Sequence, residues 1–448
     1  MHIDHWMTFG TFSEQRFFIY PRKDTYDGVV INGNMAVYAP DGLSQFILEK
    51  TNKLQYLIDP LTHAFQHDPE ILITVNKDGI KQVKTSILSL AEKLGTPINK
   101  LVGKRPIQPK DFEDKEVLKE FVNNCLNFQA GQLTDKMIDS DTNKKYLNRK
   151  KEELTPYALI TPYFYIEETT IDNWLPIQSD FIKYSIEYRT KQKIFTSIVV
   201  DKGIISNEDS LDRIIREFSQ FDIDGFIIWV DDLNENETQI SNLRGVLKLA
   251  KGLKRKPNQE IINLHGGYFS ILAAGTLGNQ TFTGVAHGPE YGEYRSVIPV
   301  GGGIPLAKYY ICLLHRRTKY REAVRAFESK DWLKNPSSFH NNICNCSKCK
   351  EVINDNIRNF VEFGRTNVKE VRRGNSIVRI EYPTTQTREN CLLHYLQMKS
   401  EEYNFSASAS KEEILSELEK GITEFEDILG LEGVSHLKKW EKIFAPSL

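Results

Sequence analysis

The sequence predicts an α/β protein: a (β/α)8 TIM barrel with an inserted helical segment, a zinc-binding subdomain and a C-terminal helix. Two observations predict the barrel. Eight short runs rich in β-branched and aromatic residues recur along the chain, each closing in a polar or glycine turn. Most are continuously apolar, as strands buried on both faces of a parallel sheet must be. Helical patterns stand between them, and alternation of strand and helix about eight times over is what a (β/α)8 barrel requires.

The runs are NMAVYAP (34–40), LQYLIDP (54–60), PYALITPYFYI (156–166), KIFTSIVVD (193–201), DGFIIWVDD (224–232), EIINLHGG (260–267), TFTGVAHG (281–288) and AKYYICLLH (307–315). Among the helices, 210–221 carries Leu211, Ile214, Ile215 and Phe218 on one face, and 240–253 does the same with Leu243, Val246, Leu247 and Leu249. A doubly wound open sheet is the alternative, but no glycine-rich dinucleotide fingerprint follows the first run. The interval 61–155 breaks the rhythm, with helix-like stretches at 84–94 and 115–128 and a polar run that reads as mobile near 133–153. Near the C-terminus, Ser410 and Glu413 form a capping box ahead of Ile414, Leu418, Ile422 and Phe425 on one face. The domain expectation is a barrel core over 1–335, carrying the insertion 61–155, and a zinc-binding and helical region over 336–448 that completes the barrel.

Apolar residues make up 40% of the 448 positions and charged residues 26%, ordinary values for a globular chain able to bury a core. The N-terminal MHIDHWMTFGTFSEQRFF has no apolar run of signal-peptide length, and no stretch approaches a membrane span. The expectation is a soluble protein of the cytoplasm with no membrane partner. A net charge of −2 does not mark a nucleic-acid binder, but a polyanion needs only a local basic face, for which KGLKRK (251–256) and Lys369, Arg372 and Arg373 are candidates.

Three of the six cysteines, Cys344, Cys346 and Cys349, fall in ICNCSKCKEV. Clustered thiols converge on a metal ion without long-range folding, whereas a disulfide framework spreads its cysteines in pairs. His394, in NCLLHYLQMK, is the favoured fourth ligand, with Cys391 one turn earlier as the runner-up. Three thiolates and an imidazole leave no open coordination position, so the expected Zn2+ is structural. Cys125, Cys312 and Cys391 read as buried thiols.

In a (β/α)8 barrel the reacting groups project from the C-terminal strand ends. There the runs place Asp59, Asp201, Asp231 with Asp232, His265 and His287, followed by Glu290, Glu293 and Arg295 in a loop that leads to the triple glycine 301–303. Carboxylates and imidazoles at one rim supply an acid and a base. Each also has a plain alternative: a turn or cap at Asp59, a structural role for one of Asp231 and Asp232, a hydrogen-bonded core position for either histidine.

Taken together, these features resemble the tRNA-guanine transglycosylase superfamily. Cys-x-Cys-x2-Cys after the seventh run with a histidine on the following helix, FDIDGFIIWV at the place of a strand opening Phe-Asp-Gly, and YLIDP at the place of a strand ending in Asp-Ser-Gly-Gly-Phe-Gln carry the resemblance, over about 30–400. It implies base exchange in nucleic acid, guanine replaced by a 7-deazaguanine base through a covalent sugar–enzyme intermediate. Asp59, Asp231, Asp232 and His287 would be catalytic, and Asp201, His265, Glu290, Glu293 and Arg295 would bind substrate. The departures are specific. Pro60-Leu61-Thr62-His63 follows Asp59, Asp231-Asp232 replaces a glycine pair, the seventh run offers His287 where an aspartate nucleophile belongs, and a hairpin at 371–382 lengthens the cysteine-to-histidine interval. They resemble the branch that modifies DNA, so DNA is favoured over tRNA as partner, with room for a homodimer or for partner proteins of a modification system. The competing expectation is a non-catalytic nucleic-acid-binding barrel.

Overall fold

A computed structural model describes residues 2–10, 26–49, 54–139, 154–188, 191–289, 293–299, 306–373 and 376–445. The chain divides into two units, His2–Pro299 and Val300–Leu448.

The first unit is built on eight strands: β1 (Asp4–Phe9), β2 (Gly28–Asn32), β3 (Gln55–Asp59), β4 (Ala158–Ile160), β5 (Lys193–Val200), β6 (Gly225–Val230), β7 (Glu260–Asn263) and β8 (Gly284–His287). They run in the order β3-β2-β1-β8-β7-β6-β5-β4, and every hydrogen-bonded pair is parallel. The sheet is a nearly closed barrel. At the seam between β3 and β4, the amide of Tyr157 donates to the carbonyl of Tyr56 at 2.8 Å.

Elsewhere along the seam, side chains stand in for the missing ladder, since buried backbone groups need partners. Gln129, from the insertion helix Lys115–Gly131, donates to the Ile160 carbonyl at 2.7 Å and accepts from its amide at 2.7 Å. Gln66 does the same for Tyr165, at 2.8 Å each way. The Thr62 hydroxyl accepts from the Tyr163 amide at 2.9 Å and donates to its carbonyl. The turn after β3 is thereby stitched to the segment after β4.

Trp6, Val30, Leu57, Ile160, Phe195, Ile227, Trp229, Ile262 and Ala286 pack together inside the barrel. Alternation along a strand then fixes the direction of the residues at the strand ends. Asp59 and Asp231 continue the inward rows of Leu57 and Trp229. His287 stands next to Ala286 and therefore faces outward.

Several expectations change. The run 34–40 is helical, Gly33–Tyr38, because the extended segment lies just before it at Gly28–Asn32. Gly33 sits so close to β3 that a Cβ there would meet the Asp59 carbonyl oxygen at 2.7 Å. The N-terminal strand Asp4–Phe9 takes the first place in the sheet, and the run 307–315 leaves it. Strand counts therefore shift by one: LQYLIDP is third, and TGVAHG is eighth. All strands of the barrel sheet lie within His2–Pro299, and among the described residues the second unit, which begins at Val300, adds none to it. The insertion holds the expected helices, at Thr85–Leu94 and Lys115–Gly131. Most of the stretch expected to be mobile, from 140 to 153, and the glycines 301–303 lie outside the described residues.

In the second unit, β9 (Lys308–Ile311) and β10 (Arg316–Lys319) form one antiparallel hairpin, and β11 (Thr366–Arg373) with β12 (Ser376–Pro383) form another. The helix Thr385–Ser408 comes after them, followed by the helical segment Lys411–Phe444, which is broken at Gly430, where φ is 70°. That segment opens on the Ser410–Glu413 capping box and buries Ile414, Leu418 and Phe425. Among the described residues no helix is long and apolar enough to cross a membrane.

Candidate functional site

The metal cluster lies wholly in the second unit. Cys344 follows the helix Pro336–Asn342, Cys346 caps the helix Ser347–Ile353, and Cys349 lies in its first turn. His394 projects from the middle of the helix Thr385–Ser408. The three Sγ atoms and a ring nitrogen of His394 all lie within 4.8 Å of one another, and all four residues are buried. His394 Nδ1 is 3.5 Å from each sulfur. A tetrahedral ion with bonds of about 2.3 Å to sulfur and about 2.0 Å to nitrogen sets N···S at roughly 3.5 Å, so the donor set fits.

Its surroundings support the ligands as well. His394 Nε2 lies 2.8 Å from the carbonyl of Tyr310 and donates to it, which leaves Nδ1 with its lone pair toward the sulfurs. Tyr309 stacks on the imidazole at 4.3 Å, and its hydroxyl is 3.2 Å from Cys349 Sγ. The amides of Cys346 and Cys349 donate to sulfurs at 3.4 and 3.3 Å, bonds that favour thiolates. Cys391 is not a ligand: its thiol donates to the Phe363 carbonyl at 3.3 Å. The cluster can hold an ion such as zinc, with no coordination position left open. Cys125 and Cys391 are buried and Cys312 is partly exposed, all three as free thiols.

A second constellation gathers at the C-terminal strand ends of the barrel. Asp59, 5% exposed, accepts from the Tyr163 hydroxyl at 2.6 Å and the Leu61 amide at 3.0 Å, both on Oδ1. Burial raises its proton affinity, while the Tyr163 hydrogen bond and the Arg295 charge pull it back. His63 stacks on Tyr163 at 5.2 Å and meets Trp229 edge-on at 5.1 Å, and Trp229 in turn meets His265 at 4.8 Å. Burial, with Arg295 adding to it, holds His63 well below the imidazole range and His265 down to about 3, so both rings are neutral. Asp231 accepts from the Val297 amide at 2.7 Å and the Tyr165 hydroxyl at 3.2 Å. The Arg295 carbonyl accepts from the Trp229 indole at 3.0 Å and from the Asp232 amide at 3.1 Å, which ties the loop to the rim. Leu61 and Asp232, in the turns that leave β3 and β6, have φ of 51° and 46°, conformations that cost non-glycine residues about 1–3 kcal/mol each.

Of the residues expected at the rim, Asp59, Asp231, His265 and Arg295 come together. Among the described residues the others do not join them. Asp201 caps the helix Lys202–Ser206, accepting from the Ile204 amide at 2.8 Å. Asp232 is exposed and pairs with Lys202 at 3.6 Å. His287 is fully buried on the outward face, with Nε2 2.8 Å from Nε2 of His5. Glu290 lies outside the described residues.

Glu293 stands near a further buried acid, Glu235, whose charge it disfavours. Glu235 accepts from the amides of Gly267 and Ser270 at 2.8 and 3.3 Å and from the Ser270 hydroxyl at 2.5 Å, at the start of the helix Tyr268–Leu277. A Cβ at Gly267 would meet Glu235 Oε2 at 2.8 Å and Glu293 Oε2 at 2.9 Å. Burial pushes Glu235 up to about 7.

Sequence reasoning missed His63, His67, Tyr163, Tyr165, Trp229 and Glu235. The two histidines were readable as a pair four residues apart just after Asp59, whereas the tyrosines and Trp229 were hidden inside runs read as strand core. No protein-family model matches the chain, and no curated protein matches its sequence.

Proposed function

We propose that the first unit is a (β/α)8 TIM barrel acting as a pentosyltransferase, exchanging guanine for a 7-deazaguanine base in nucleic acid, with DNA favoured over tRNA. One observation carries the proposal: Asp59, buried at the C-terminal end of an inward strand row, stands among neutral planar rings and close enough to the Arg295 charge to feel it. Active sites of such barrels lie at this end. An extruded base needs flat surfaces to stack on and polar groups to read its edge, and Tyr163, His63, Trp229 and His265 are of that kind.

In this mechanism the Asp59 carboxylate attacks the anomeric carbon as the bond to the guanine nitrogen breaks, giving a covalent glycosyl ester. The departing base leaves with the bond's electron pair and takes up a proton. The incoming base then attacks the same carbon, loses its proton and frees the carboxylate. The Tyr163 hydroxyl favours the ionised form of Asp59 that the first step needs. Asp231, held by Val297 and Tyr165, is the second carboxylate, placed to take and return protons. Zinc in the Cys3His cluster would hold structure, since its four ligands leave no position for substrate.

A non-catalytic binding barrel is the second reading, favoured because β8 ends in an outward-facing histidine where the resemblance expects a nucleophilic aspartate. Incorporation of labelled guanine into DNA and into tRNA, with wild type and Asp59→Asn in parallel, separates the two. Exchange lost in the variant supports the enzyme. Tight binding without exchange by wild type leaves the binding barrel.

A further inference from the structure

The hairpin β11–β12 is a ribbon with almost no core of its own. Apart from Ile380 and Pro383 near its root, its described side chains are exposed or half-buried. Val368 and Ile377 are 61% and 69% exposed, and strand alternation puts both on the face that carries Arg372. The root is fixed: the Thr384 amide donates to the Arg365 carbonyl at 3.0 Å, and the Thr387 hydroxyl donates to the same carbonyl at 2.9 Å. Eight residues per strand project the ribbon by about 26 Å.

Its charges are not balanced. Both of its carboxylates are already paired, Glu370 with Arg379 at 3.1 Å and Glu381 with Arg321 at 3.2 Å. Lys369, Arg372 and Arg373, all on β11, remain as excess positive charge. The surrounding chain leans the same way: from Lys308 to Lys399 it carries 18 lysines and arginines against 9 acidic residues. Register sets Arg372 opposite the exposed Ile377 on one face of the ribbon, and Lys369 opposite the buried Ile380 on the other.

We infer that this ribbon is an arm that binds duplex DNA, with Arg372 on a phosphate and Ile377 beside it against the groove, and with the Lys369 and Arg373 charges adding to the attraction. The inference rests on the nucleic-acid reading of the barrel. Charge complementarity to a polyanion selects the class of partner. The shape selects the duplex: the major groove of B-form DNA admits a two-stranded ribbon, whereas that of A-form RNA is too narrow.

The test uses full-length protein, a labelled DNA duplex of arbitrary sequence and a tRNA, titrated over a series of salt concentrations. Lys369→Ala/Arg372→Ala/Arg373→Ala is expected to weaken duplex binding roughly tenfold or more at low salt and to lower the log–log salt slope by about 1 or more, for the lost Arg372 contact. Arg372→Lys/Arg373→Lys should bind nearly as wild type, and melting temperature and metal content should stay unchanged in both. Unchanged duplex affinity and slope in the alanine variant would overturn the arm while leaving the barrel's function standing. A loss confined to tRNA would overturn the choice of DNA. If wild type binds neither polymer, the nucleic-acid reading fails and the arm falls with it.

Discussion

The hydroxyl of Tyr163 donates to Oδ1 of Asp59 across 2.6 Å, joining the strand end of β3 to the segment after β4 at the one seam of the sheet closed mainly by side chains. Thr62 and Gln66 hold the Tyr163 and Tyr165 backbones from the same turn that comes after Asp59. The acid and its hydroxyl partner are thus positioned by one piece of local structure.

That bond favours the ionised carboxylate, so its removal raises the proton affinity of Asp59 beyond what burial already does. In Tyr163→Phe the acidic limb of kcat/KM against pH is expected to move to higher pH. Asp59→Asn should lose roughly a thousandfold or more in rate with little change in melting temperature. A Phe variant whose acidic limb stays in place would detach Tyr163 from the chemistry.

His287 faces away from Asp59 and pairs with His5. His287→Ala is expected to destabilise the fold by about 1–3 kcal/mol, since it strands a buried partner, while turnover per folded molecule stays near wild type. Chemical denaturation and activity on the same preparation check both halves. Lost turnover with unchanged stability would return His287 to the site.

The Cys3His cluster is expected to bring about one equivalent of zinc with the purified protein. Cys346→Ser and His394→Ala should each lower metal content and melting temperature, because an ion bound only by the folded chain adds its binding energy to folding. Elemental analysis decides it. Full zinc in both variants would refute the assignment.

Glu235 has its folded pKa raised from 4.5 to about 7 by burial. The folded state therefore keeps a proton that the unfolded chain releases at lower pH. The stability this contributes is complete below about pH 4.5 and is lost as pH climbs through 7, on the order of 3 kcal/mol in all. Glu235→Gln carries no titrating proton, so the fall in unfolding free energy between pH 4.5 and 7 should be shallower than in wild type. Parallel slopes would exclude Glu235 as the cause.

Features that depend on local pattern were legible in the chain before it folds. Apolar runs marked six of the eight barrel strands, helical spacing marked the helices, and thiols within six residues marked a metal cluster to which only His394 had to be added. Inward rows at Leu57–Asp59 and Trp229–Asp231 came from strand parity once the core was known. The remaining features needed the assembled fold. Asp4–Phe9 mixes polar with apolar residues, and Gly28–Asn32 runs straight into a helix, so neither stands out as a strand before the sheet pairs it. Which face His287 takes depends on a neighbour, Ala286, packing inside. Whether AKYYICLLH joins the barrel depends on which partner its backbone finds, and it finds Arg316–Lys319. Hydrogen-bonding capacity is written into every strand, but the partner that satisfies it lies elsewhere in the chain, and only folding brings the two together.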